Sequence, residues 1–118
     1  MKAYRLFTTA TGGSAFEEGR INRLQHIPSE YLFLAEDAPE RVAYDWHPAP
    51  KRQYVLTLRG TLEFTVTDGS TFVLQPGDVL VAADITGTGH KWRRLSDESW
   101  VRTYVVLEEG ADDGFVVA

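Results

Sequence analysis

A chain of 118 residues falls in the ordinary single-domain range, and at that size roughly two-thirds of the unfolded chain's surface leaves water on folding. No apolar run approaches the ~20 residues of a membrane helix, and the opening residues MKAYRLFTTATGG lack the continuous apolar segment of a secretory signal, so a soluble, cytoplasmic protein is the expectation. The formal charge of -5 argues against a nucleic-acid partner, and the absence of cysteine removes disulfides and thiolate metal sites.

Strand composition opens the chain at YRLFTT. The stretch IPSEYLFLAEDAPER contains the strand-like YLFLA but is also the one place where a short helical turn fits. RVAYDW follows. From Gln53 to Gln75, the runs QYVLTL, TLEFTV and TFVLQ are separated by Arg59-Gly60 and Asp68-Gly69, which reads as a β-meander with tight turns. After Pro76-Gly77-Asp78 come DVLVAA, HKWRRL and WVRTYVVLE, and the tail EEGADDGFVVA reads as a loose end. With neither repeat nor linker, one all-β domain spans 1–118. That many short strands must close or stack to hide their edges, as a small barrel or a jelly-roll sandwich.

Side-chain parity places Val55 and Thr57 inward if Gln53 is inward, and gives Asp45, His47 and Ala49 a common face. A polar face of Asp and His inside a barrel is costly unless it binds something.

These residues resemble the motifs of the small cupins, whose first motif reads H-x-H, then E, then G, and whose second holds P-G-D followed by a histidine a strand and a turn later. Here the first aligns as His47, Ala49, Gln53 and Gly60, and the second as Pro76, Gly77, Asp78 and His90. The resemblance implies a cupin-type jelly-roll β-barrel with its motif-bearing core at 45–107. It also implies a site where metal-binding cupins converge two histidines, a carboxylate and a third histidine on one divalent metal. Ala49 stands at the second histidine position and cannot ligate, and Gln53 replaces the carboxylate with a weaker neutral oxygen.

Three readings of His47 and His90 follow. They hold a divalent metal (Fe, Mn, Ni or Zn) with Gln53 and with Asp45, which parity puts on the same face; or they form with Gln53 a metal-free pocket that orients a ligand or moves a proton; or they are structural. Trp92 shares the face of His90 two residues away, and Arg102 shares a face with Tyr104, so these join Asp45 and Thr57 as candidate substrate-binding residues. Trp46 and Trp100 read as core or interface residues, and His26 as a loop or interface residue. Asp84 reads first as a holder of loop amides and second as an acceptor for His90. The glycines of DITGTGH suit a flexible connection, and Lys51/Arg52 with Lys91/Arg93/Arg94 form either solvated loop charges or a positive rim that steers an anion.

The expected function is a small-molecule pocket centred on His47, Gln53 and His90. It serves either an isomerase, cyclase or lyase using histidine acid-base chemistry, or an oxygenase if iron is present. The rivals are a binding module without turnover and a structural dimer with a vestigial cavity. A homodimer is expected because the sheets have edges to cover.

Overall fold

The computed structural model describes residues 1–118 and contains eleven strands and no helix. They are β1 (Lys2–Thr8), β2 (Ser14–Ile21), β3 (Ser29–Glu36), β4 (Ala43–His47), β5 (Gln53–Arg59), β6 (Leu62–Thr65), β7 (Thr71–Leu74), β8 (Val79–Ala83), β9 (His90–Arg94), β10 (Val101–Leu107) and β11 (Phe115–Val117). A seven-stranded sheet in the order β11-β2-β1-β8-β5-β10-β3 faces a four-stranded sheet in the order β4-β9-β6-β7. β1 and β8 run parallel, and every other pair is antiparallel. The result is an all-β, two-sheet barrel of jelly-roll type. No helix is long and apolar enough to cross a membrane.

The segment around YLFLA is strand β3, as its composition reads, and pairing with β10 from Ser29 to Glu36 leaves no place for the alternative helical turn. Two local expectations fail, each for a physical reason. The 53–75 segment is not a meander: β5 already pairs with β8 and β10, so it has no free edge for β6. The chain therefore crosses between sheets at Gly60, whose φ of +97° is open to glycine and where a side-chain carbon would stand 3.1 Å from the Trp100 Cα. The β6–β7 hairpin at Asp68-Gly69 forms as read. The tail is not loose. Residues 115–117 pair with β2, the Tyr54 hydroxyl donates to the Asp113 carbonyl, and Arg5 bridges Asp113 at 3.2 Å and Glu17 at 3.3 Å. Burial pushes the Tyr54 phenol up to about 12, which keeps it a donor to that carbonyl at any physiological pH.

The core between the sheets is filled unevenly, and that unevenness makes the site. At one end Tyr4, Phe16 and Phe72 form an aromatic plug, with Tyr4 stacked on Phe72 at 4.5 Å and Phe72 on Phe64 at 5.2 Å. At the other end the inward positions carry Ala35, Ala49, Val55 and Ala82, which are too small to fill the space. A second apolar cluster, including Ile21, Val79, Val81 and Leu107, lies on the outer face of the large sheet, with Phe115 of the C-terminal segment packed against it.

Candidate functional site

The unfilled end is a cavity of about 290 Å³, lined by 15 residues of which 10 are hydrophobic. That is the small end of the size range for ligand pockets, roughly 300–1,000 Å³. His47, Gln53, His90, Trp92, Arg102 and Tyr104 all line it, as read from the sequence, together with Phe33, Phe64, Leu80 and Trp100.

The two histidines come from adjacent strands. β4 and β9 pair so that His47 stands opposite His90, and their rings lie 4.6 Å apart. Each ring is oriented through Nδ1. His90 Nδ1 donates to Asp84 Oδ2 at 2.6 Å, and His47 Nδ1 donates to the Asp45 carbonyl at 2.7 Å. A carboxylate and a carbonyl can only accept, so both Nδ1 atoms carry hydrogen, and Nε2 is the unoccupied nitrogen of each neutral ring. Asp84 is wholly buried, and its Oδ1 has no partner, which concentrates its hydrogen bonding on His90. Its backbone carbonyl meanwhile accepts from Ala49 at 3.0 Å. Asp84 thus supports the histidine and does not hold the loop amides, reversing the order of the two readings.

The His47 pKa lies below its ordinary 6.5, chiefly through burial and secondarily through the charge of nearby His90, against the raising effect of the Asp45 carbonyl and of Asp84. The unfolded chain then takes the proton more readily. His47 contributes stability that is complete above about pH 6.5 and is lost as the pH falls through its lower folded value. An NMR titration of the imidazole protons, with the His47 resonance assigned from a His47→Gln variant, should give a midpoint below the 6.5 of free histidine; a midpoint above it would contradict this placement.

Arg102 is the cavity's fixed cation. It pairs with Asp37 at 2.9 Å, donates to the Trp100 carbonyl at 3.2 Å and to the Tyr104 hydroxyl at 3.1 Å, and lies 4.1 Å above the Trp100 ring. Asp37 escaped notice because it lies beyond β3 with no motif around it. Its Oδ2 is buried without a partner. The surface lysines and arginines read as a positive rim are engaged elsewhere: Arg93 holds Glu63 at 2.8 Å, Lys51 reaches Glu30 at 3.5 Å, Lys91 lies over Trp46, and none of these lines the cavity.

Two site expectations are corrected. Asp45 lies outside the cavity, because a β-bulge between Tyr44 and His47 shifts the register and breaks the alternation that parity assumed. Tyr44 takes the neighbouring place instead, its ring 4.2 Å from that of His47. Thr57 is buried but is not a wall residue; its hydroxyl accepts from the Trp100 indole at 3.1 Å and fixes that ring. Trp46 is exposed at the surface, whereas Trp100 lines the cavity.

The loop before His90 is also not a flexible connection. Thr88 N donates to the Gly12 carbonyl at 3.0 Å, and the Ser14 hydroxyl donates to the Gly89 carbonyl at 2.6 Å.

A divalent metal here would draw on the Nε2 atoms of His47 and His90 and on the Gln53 amide oxygen. No group of three His, Cys, Asp or Glu side chains is placed so that it could hold a metal ion. Catalytic metal sites normally hold about three strong protein ligands, and two imidazoles with a neutral amide fall short of that, so the donor set does not fit.

Fold and site together define a class: an all-β barrel with one small, mostly apolar cavity and a histidine pair at its wall. No family model matches the chain, and no curated protein matches it in sequence. Among solved structures it is similar to a Salmonella typhimurium protein provisionally described as ethanolamine utilization protein Q, at 14% identity and a TM-score of 0.41 over 91% of this chain and 95% of that one.

Proposed function

We propose that the protein is a cupin-type barrel that binds a small, largely apolar molecule and moves a proton on it, as an isomerase, cyclase or lyase does. The observation that carries this reading is the Asp84–His90 pair, in which a carboxylate of zero exposure fixes the tautomer of an imidazole on the wall of a cavity. In the neutral ring Nε2 is the basic nitrogen, and Asp84 stabilises the imidazolium that forms when it takes a proton. His47, neutral at pH 7 because its pKa is lowered, supplies a second base beside it. Gln53 offers a neutral amide that can orient a carbonyl or hydroxyl, and Arg102 with Tyr104 offers further donors on a mostly hydrophobic wall.

Exchange of carbon-bound hydrogen tests this even with the substrate unidentified. A panel of small carbonyl compounds incubated with the protein in D2O should include at least one that gains deuterium, read by mass spectrometry, and His90→Gln should abolish the gain while preserving the melting temperature. A compound that binds, shifts the melting temperature and returns unlabelled and unchanged would instead establish a binding module without turnover.

A further inference from the structure

Two open sheets have four edge strands, and in this barrel three are blunted. β11 has three residues, β7 has four and runs toward Pro76, and β4 carries a bulge and ends at Pro48. β3 follows Pro28 and bulges at Glu30, yet from Tyr31 to Glu36 its ladder with β10 is regular and neither device interrupts it. It is eight residues long, about 26 Å at a rise of ~3.3 Å per residue, and pairs on one side only, with β10. From Tyr31 to Ala35 it carries no charge, and Tyr31, Leu32, Phe33 and Leu34 are exposed by 49%, 58%, 42% and 70%. A long apolar edge with a free row of backbone donors and acceptors is what monomeric proteins avoid.

We propose that β3 pairs antiparallel with β3 of a second copy about a two-fold axis at Leu32, and that each copy thereby completes the rim of its partner's cavity. The occupant is argued from the self-complementarity of the strand. In a continuous sheet, opposed residues point to the same face, so the axis must pass through a residue. Within the regular stretch, an axis at Phe33 sets Tyr31 against Ala35 twice and Leu32 against Leu34 twice, whereas an axis at Leu32 sets Tyr31 against Phe33 twice and Leu32 against itself. Cross-strand aromatic pairs stabilise a sheet, which selects Leu32. Phe33 lines the cavity and stacks on Tyr104 at 4.6 Å, so the partner's Tyr31 falls beside a wall residue and extends that aromatic stack across the axis. The pairing does not depend on the cavity's chemistry.

The absence of cysteine makes the test clean. Light scattering at about 100 µM, where a dimer of micromolar Kd is almost wholly assembled, should give twice the chain mass. Leu32→Lys, which sets two ammonium groups against each other across the axis, should give a single chain mass with unchanged far-UV circular dichroism. Should Leu32→Lys fail to fold, thiol crosslinking decides alone. Under mild oxidation Leu32→Cys should form a covalent dimer, and Phe33→Cys, two residues out of register with itself, about tenfold less. A monomeric wild-type chain, a dimer that survives in folded Leu32→Lys, or faster crosslinking at Phe33→Cys would each overturn the proposal; a monomer whose β3 edge is taken up by a different protein counts among the first of these.

Discussion

Asp84→Asn is expected to lower turnover by roughly 10²–10⁴-fold, the range for losing a positioned acid-base group, while leaving the fold standing. Asparagine keeps the shape of the side chain at a site of zero exposure, so packing against β8 and β9 is preserved. What changes is the proton. The carboxylate accepts from His90 Nδ1, whereas the amide can turn its NH2 toward that nitrogen, driving the ring hydrogen to Nε2 and replacing a base with a donor. With the amide oxygen turned inward instead, the tautomer survives but the imidazolium loses its counter-charge. Asp84 acts through His90, so the discriminating readout is the tautomer itself. Nitrogen-15 shifts of His90 should report Nδ1–H in the wild type and a change in Asp84→Asn, with the melting temperature little altered. Full turnover with an unchanged ring would show that the pair is structural. Asp84→Ala is a harsher variant: it leaves a buried Nδ1–H without an acceptor, at about 1–3 kcal/mol of stability.

The charges of the cavity sharpen this expectation. Arg102 is neutralised by Asp37, both about nine-tenths buried, and His47 is neutral near pH 7. The Asp84 carboxylate is thus left with His90 as its sole hydrogen-bonded partner, and a proton drawn from a ligand onto His90 makes of the two a carboxylate–imidazolium pair. The three histidines therefore separate by environment. His26 lies exposed on the β2–β3 connection, His47 is half-buried beside Tyr44, and His90 is buried on a carboxylate.

Much of the fold was legible because it rests on local chemistry. Alternation marked β1, β5 and β10, and Gly69 and Gly77 adopt the positive φ their turns require. That His47, Gln53, His90, Trp92, Arg102 and Tyr104 line the cavity was legible from motif spacing and from period-two parity within β5, β9 and β10. Legibility stopped where a non-local event intervened. A bulge in β4 removed Asp45 from the cavity, and bulges leave little trace in sequence. Assignment of β5 and β6 to different sheets depends on which strands already flank β5, which no turn residue encodes. Phe33, Ala35 and Asp37 belong to the site through pairing of β3 with β10, about seventy residues away in the chain.

Gly89→Ala is expected to be the most damaging single methyl in the molecule, and comparison with Gly69→Ala shows why. Both glycines have positive φ, +71° and +89°, so each substitution forces alanine into the left-handed region at about 1–2 kcal/mol. A methyl at Gly69 meets nothing within 4 Å, and its cost ends there. At Gly89 it would stand 2.0 Å from the His47 carbonyl oxygen and 2.3 Å from the Pro48 nitrogen, so backbone must move. The added cost is about 1–3 kcal/mol, for a combined melting-temperature loss of about 8–20 °C at this chain length, against about 4–8 °C for Gly69→Ala. The part that must yield carries His47 on one side and His90 on the other. Deuterium exchange should therefore fall in Gly89→Ala even at temperatures where it is fully folded, and remain at the wild-type rate in Gly69→Ala. Equal melting losses in the two variants would mean that strain alone sets the cost. The glycine would then have no part in holding the imidazoles 4.6 Å apart.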